Sequence, residues 1–298
     1  MPSLSRRSVI YSQNFFRNPC LVDHLLARSS ISSDDILYEI GPGKGIITER
    51  LVQRCRQVVA IEKDPTFVEV LRHKFADTPN ITLHEGDFLQ FRLPNISYKV
   101  FASIPFNITT AIVTRLSTAP CPPEDAYLVV QKEAADKFLG KPRESLYAVL
   151  LKPWFELDVV YHFRRSDFIP APRVDVVMLR LRKRGPPLIH QSDVQLFRDF
   201  VTYGFTTWRP SLSSTFQGIF TPQQFQQIAK KLGFDLSATP SSLQFEQWLQ
   251  LFDYFKSIGN TYSMQTILGS ERRLRQQQAA LQKIHQTRVP GRRLVVES

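Results

Sequence analysis

Few of the residue types that build metal or redox centres are present. Three cysteines, Cys20, Cys55 and Cys121, are scattered through 298 residues. No pair has metal-ligand or disulfide-exchange spacing, so free thiols in a reducing compartment are expected. Six histidines form no His-Glu-x-x-His or related pattern, and no metal is expected. No segment reaches the ~18 uninterrupted apolar residues of a membrane span. Arg6 and Arg7 are not followed by an apolar stretch, so no secretory leader and a cytoplasmic location are expected. There is no internal repeat. The glycine-rich segment at 41–45 lacks the Gly-Lys-Ser/Thr ending of a phosphate-hydrolysing loop, and Gly45 comes too early for a strict Gly-x-Gly-x-x-Gly.

What is present is positive charge and a series of equipped strand ends. The net charge is +11 and hydrophobic residues make up 43% of the chain. A basic protein of ordinary hydrophobicity implies a polyanionic partner, most often nucleic acid. The apolar run Ile36-Leu37-Tyr38 leads into Glu39-Ile40-Gly41-Pro42-Gly43-Lys44-Gly45, and a helical pattern follows over 46–52. A strand ending in a glycine turn that opens a helix offers backbone N–H groups to a nucleotide-like ligand. A second strand, 58–61, ends in Glu62. A third, 81–85, ends in Gly86-Asp87-Phe88. A fourth, 99–102, ends in Ser103-Ile104-Pro105-Phe106.

Helical patterns at 23–28, 66–75, 109–116 and 131–139 alternate with these strands and with a fifth at 126–130. That order implies a parallel sheet with helices on both faces. Two alternating stretches, 155–161 and 174–181, suit an antiparallel edge, and Pro170 and Pro172 bar helix between them. A catalytic α/β domain is therefore expected over 1–184, with a hinge at 182–187. A small helical C-terminal domain is expected over 188–258, with helices at 194–203, 222–232 and 243–258. The tail, 259–298, is basic and rich in Arg and Gln. It reads equally as a solvent-exposed helix, as disorder, or as a segment ordered by RNA.

The pocket chemistry points to an adenosine without a diphosphate. Glu62 stands where an acid accepts from ribose hydroxyls, and Asp87 where a carboxylate accepts from an exocyclic adenine amine. An ordinary helix-start acid and an N-cap are the plainer readings of those two residues. S-adenosylmethionine fits, because its tail is an amino acid rather than phosphates. A polar residue followed by Pro and an aromatic resembles the loop of amino-group methyltransferases. The adenine amine is a poor nucleophile, its lone pair delocalised into the ring. Carbonyls at 103 and 104 would accept its N–H bonds, and Phe106 would stack on the base. Catalysis is then mostly positioning and desolvation.

Ser12-Gln13-Asn14-Phe15-Phe16, the segment 39–45, Glu62, Gly86-Asp87-Phe88, the segment 104–109 and the segment 168–175 occur in that order. Together they resemble the rRNA adenine N6-methyltransferase family, with a Rossmann-like S-adenosylmethionine-dependent fold. The chain is more similar to its Erm macrolide-resistance branch than to the KsgA branch, with the helical module (216–225 and 243–249) supporting that choice. The resemblance covers about residues 10–258. It implies a substrate adenine in the peptidyl-transferase region of protein-free or precursor 23S rRNA, flipped out of its stack. Methylating its N6 would confer resistance to macrolides, lincosamides and streptogramin B. It implies donor contacts from Gln13, Asn14, Gly41, Gly43, Glu62, Asp87 and Ser103. It implies catalytic roles for Ser103, Ile104, Pro105, Phe106 and Phe168. One departure stands out: the family usually has Asn at the position of Ser103. RNA phosphates are expected on Lys132, Lys137, Lys141, Arg143, Arg164, Arg165, Arg173, Arg182, Lys183 and Arg184. A monomer is expected. Two other readings stay open: a KsgA-like enzyme of small-subunit rRNA, and a non-catalytic nucleic-acid-binding protein on the same scaffold. A dinucleotide oxidoreductase leaves Gln13-Asn14 and Ile104-Pro105-Phe106 unexplained.

Overall fold

The computed structural model describes residues 15–258 and 261–287. They fall into two units. One runs to Pro142 and resumes over Leu151–Leu188; the other takes Arg143–Leu150 and the chain from Ile189 onward.

The first unit begins with β1 (Phe15–Phe16) and α1 (Pro19–Ala27). Asn18 caps α1 by accepting the Cys20 N–H, and Pro19 occupies the first turn, where its missing N–H costs nothing. Then β2 (Ile36–Ile40), α2 (Ile46–Leu51), β3 (Gln57–Glu62), α3 (Pro65–Lys74), β4 (Ile81–Glu85), β5 (Lys99–Ser103), α4 (Thr109–Ser117), β6 (Asp125–Gln131) and α5 (Lys132–Leu139) alternate. The seven-stranded sheet has the order β4-β3-β2-β5-β6-β9-β7, where β7 is Phe155–His162 and β9 is Val176–Lys183. The first five strands are parallel, and β9 runs antiparallel to both β6 and β7. Leu37, Tyr38, Glu39 and Ile40 are all buried, as expected of a central parallel strand covered on both faces. A separate two-stranded sheet joins β1 to β8 (Phe168–Ile169), with Phe15 opposite Ile169 and Phe16 opposite Phe168.

The chain leaves β2 toward β3 and β4 on one side and returns through β5 and β6 on the other. The order therefore reverses between β2 and β5, where the carboxyl ends of two adjacent parallel strands open a crevice. Both the 41–45 loop and the 103–106 loop start there. Beneath them Val22, Leu25 and Leu26 of α1 and Ile47 and Leu51 of α2 pack on Leu37, Val58 and Phe101. Asp125 is nearly buried at the start of β6. It is held by Arg180 (Nε to Oδ1, 2.9 Å) and by the Ser30 hydroxyl at 2.7 Å, which satisfies the carboxylate.

The second unit takes α6 (Leu146–Leu151) as far as Leu150. This helix is followed there by α7 (Val194–Thr206), α8 (Leu212–Thr215), α9 (Pro222–Leu232), α10 (Phe245–Ile258), α11 (Thr261–Ile267) and α12 (Ser270–Thr287). Thr221 and Gln224 form a reciprocal cap at the start of α9, and Gly233 ends it at φ 73°. The core is aromatic: Phe200 stacks on Phe216 and Phe255, with Trp248 and Phe252 against it. The tail's first part is thus helical and docked. Asp199 accepts the N–H groups of Gly269 (3.0 Å) and Glu271 (2.9 Å), and Arg198 grips Glu271 through two nitrogens. Burial works to raise the Glu271 pKa, but Arg198 and Arg275 outweigh it and bring it down to about 2.

Candidate active site

The crevice is an open cleft at the carboxyl ends of β2 and β5. Gly41, Gly43, Ser103, Ile104, Pro105, Phe106 and Phe168 all line it. Gly41 and Gly43 adopt φ of 67° and 56°, which side chains rarely tolerate. A Cβ on Gly43 would come within 2.6 Å of the Phe15 ring, so the loop is a cradle open only to glycine. On the other wall Ser103 ends β5, and Phe106 opens a single 3-10 turn, Phe106–Ile108. The Ile104 side chain is buried. Its carbonyl accepts no hydrogen bond among the described residues, which leaves that oxygen available to a ligand amine. Phe168 packs at 5.1 Å from Phe16 and 5.3 Å from Phe163.

Glu62 and Asp87 do not line the cleft. They stand on the neighbouring strand ends, and of the two Glu62 meets the cleft's lining, through the Gly43 backbone. The Glu62 Oε2 accepts the Gly43 N–H at 2.9 Å, and its Oε1 accepts the N–H groups of Lys63 and Asp64 at 2.8 and 2.9 Å. The carboxylate thereby ties β3 to the glycine loop. Asp87 Oδ1 accepts the Leu89 N–H at 2.9 Å, the turn-capping role that an Asp at this point often plays. Its Oδ2 pairs with Lys63 Nζ at 2.8 Å. That hydrogen bond to the ammonium holds the Asp87 carboxyl below its ordinary range. Gln13 and Asn14 lie outside the described residues.

Several contributors were not singled out from the sequence. Phe15, Phe16, Pro42, Ile46, Ile47 and Val129 complete the walls. Phe15 and Phe16 close the Ser12-Gln13-Asn14-Phe15-Phe16 motif without having been given a role, and Lys63 directly follows Glu62. Glu39 is fully buried below the loop. Its Oε2 accepts the Thr48 hydroxyl at 2.6 Å, while Oε1 accepts nothing among the described residues. Burial pushes its pKa up to about 8, against the Thr48 bond, so this carboxyl is neutral at pH 7.

Five of the ten expected phosphate-binding cations are paired with carboxylates. Arg182 and Arg184 pair with Glu156, Lys183 with Glu124, Lys132 with Asp136 and Arg165 with Asp175. Among the described residues no cluster of three or more His, Cys, Asp or Glu could hold a metal. Nor is any described helix long and apolar enough to cross a membrane.

The cleft fits S-adenosylmethionine. Glycines cradle one wall, aromatics stand at the other, and Glu62 and Asp87 stand at the strand ends. Known proteins agree. A family model described as ribosomal RNA adenine dimethylase matches residues 5–257. An rRNA adenine N-6-methyltransferase of Bacillus licheniformis is 32% identical over 243 residues, 81% of this chain and 84% of that protein. A ribosomal RNA small subunit methyltransferase A of Clostridium acetobutylicum is 28% identical over 81% of this chain and 91% of its own length. The crystal structure of the 23S rRNA methyltransferase ErmE superposes with a TM-score of 0.74 at 31% identity, covering 82% of this chain and all of that one. The glycine cradle, the aromatic wall and these likenesses converge: the chain belongs to the ribosomal RNA adenine dimethylase family and is an S-adenosylmethionine-dependent rRNA adenine N6-methyltransferase.

Proposed function

We propose that the chain methylates N6 of one adenine in the peptidyl-transferase region of 23S rRNA, as protein-free or precursor RNA, and so confers resistance to macrolides, lincosamides and streptogramin B. The observation that carries this choice is the 31% identity and 0.74 TM-score to a 23S rRNA methyltransferase over its whole length. The 103–106 loop supports it, ending in Phe106 where KsgA relatives usually carry Tyr. The enzyme works in the cytoplasm as a monomer. Membership of a methyltransferase family leaves the non-catalytic scaffold without support.

The bound donor supplies an electrophilic methyl on a sulfonium. On this reading Gly41 and Gly43 admit the donor's amino-acid tail, and Gln13 and Asn14 contact it. Glu62 keeps one acceptor direction on Oε2 for a ribose hydroxyl, and Asp87 exchanges the Lys63 ammonium for the adenine amine. Phe106 stacks on the extruded base and Phe168 packs near its amine. The main-chain oxygens at 103 and 104 accept the N–H bonds and favour a pyramidal nitrogen. Pro105 stiffens the loop. In support, Ser103 to Phe106 share one cleft with Phe168 and both glycines.

Labelled donor incubated with protein-free 23S and 16S rRNA, followed by mapping of the modified nucleotide, tests the assignment. Label at a single 23S adenine is expected. Label on paired adenines of 16S rRNA would assign the chain to the small-subunit branch, which the 28% identity to the Clostridium relative represents.

A further inference from the structure

Trp208 is fully exposed, at 100% of its reference area, whereas the described core buries Trp248 completely. A large aromatic side chain ordinarily buries most of its surface. Nor does Trp208 sit on a loose loop. α7 is locked just before it: Phe205 stacks on Trp248 at 5.1 Å, and a Cβ on Gly204 would meet that indole at 2.6 Å. The Thr207 hydroxyl and N–H both return to the Tyr203 carbonyl (2.8 and 3.1 Å). The Arg209 N–H closes a tight turn onto the Thr207 carbonyl at 2.8 Å. Pro210 follows, Ser211 caps α8, and the Leu212 N–H bonds to the Ala238 carbonyl at 2.8 Å. The indole is therefore held out into solvent at the tip of a built turn.

Its neighbours decide what it faces. Arg209 is exposed and its guanidinium has no partner among the described residues. From 200 through 234 the sequence has no Asp or Glu, so neither the turn nor α8 and α9 carry an acid to neutralise it. Trp208, Arg209 and Pro210 stand exposed between Thr207 and Ser211. Within this turn there is one large aromatic rather than an apolar patch of the kind that marks protein docking. A rigid π-face beside a free guanidinium matches an unpaired nucleotide, its base on the indole and its phosphate on the arginine.

We propose that Trp208 and Arg209 form a second RNA-contact point, a stacking platform for an unpaired rRNA base other than the base that is methylated. This rests on the family's rRNA substrate, not on which subunit's rRNA is used.

Two readouts on the full chain test it. Adding a short oligoadenylate to the native protein should quench the red-edge tryptophan emission, and Trp208→Ala should abolish that quench. With whichever protein-free rRNA the native chain methylates, Trp208→Ala should raise the KM for RNA about tenfold, as for one base lost from an aromatic platform. kcat and donor affinity should be unchanged. Trp208→Phe should keep most of the affinity, and Arg209→Gln should lower the salt slope of binding by about one. An unresponsive red-edge emission at saturating RNA, or a native KM in Trp208→Ala, would overturn the proposal. So would quenching by anionic lipid vesicles but not by RNA. Mapping of the methyl group to 16S rRNA would defeat the 23S assignment while leaving this comparison readable.

Discussion

The two units place some of their aromatic side chains differently. In the α/β unit Phe15, Phe16, Phe106 and Phe168 line an open cleft; Phe16 and Phe168 also belong to the buried core, whereas Phe106 is only partly buried. In the helical unit Phe200, Phe216, Trp248, Phe252 and Phe255 are fully enclosed, and among the described residues Trp208 alone is left wholly outside. Rings around a cleft can serve a base; rings packed on one another hold helices together. Side-chain identity does not separate the two jobs. What separates them is whether a strand end or a helix face presents the ring.

Substitutions can break that contrast. Phe200→Ala removes a ring that contacts four others, and should cost the helical unit about 3–5 kcal/mol in chemical denaturation. Donor binding should remain. Phe106→Ala should do the reverse. Methyl transfer should fall about 100-fold through misplacement of the base, with the denaturation midpoint nearly unchanged. If Phe106→Ala instead melts the protein, the ring belongs to the core and the contrast fails.

Glu39→Gln sharpens the view of the cleft floor. The native Glu39 carboxyl has its pKa raised to about 8, chiefly by burial. It stays neutral in the folded chain while the unfolded chain ionises, so native stability falls as pH rises from the unfolded value toward 8. The glutamine variant lacks that fall. Its stability relative to native should climb across this window, on the order of 5 kcal/mol in all, and be flat below it. A constant difference from acid to alkaline pH would show that Glu39 is charged. The smallest effect is expected from Ser103→Asn: if main-chain oxygens do the work, methyl incorporation stays close to native. A dead native chain rescued by Asn would assign the work to the side chain.

Much of the α/β unit was legible because its parallel strands are buried on both faces and read as unbroken apolar runs, each stopped by Gly, Pro or an acid. The order of loops around the cleft followed from that. The alternating 155–161 stretch read as an edge strand for the opposite reason, one face being exposed. β9 is displaced: it starts at Val176 and continues through Lys183, because Arg182 and Lys183, read as part of a hinge, pair with Glu156 and Glu124 and extend the hairpin. The β1–β8 pair escaped notice, since two-residue strands leave no period. So did α6, whose six-residue apolar run carries no helical signature. The roles of Glu62 and Asp87 were legible only as residue types. That backbone N–H groups and Lys63 already engage them depends on neighbours brought in by other strands. The docking of α12 was hidden likewise, since Asp199 and Glu271 meet across seventy-two positions of sequence.

That docking bears on how the protein can be shortened. The family's common region stops at residue 257, and trimming there is a natural choice. Asp199 is 1% exposed, and its carboxylate accepts from Gly269 and Glu271. A chain cut at that point would strand an anion beneath α7, at a cost of roughly 1–3 kcal/mol. The extension is a keystone for its unit, and any trimmed version should carry Asp199→Asn to survive the cut.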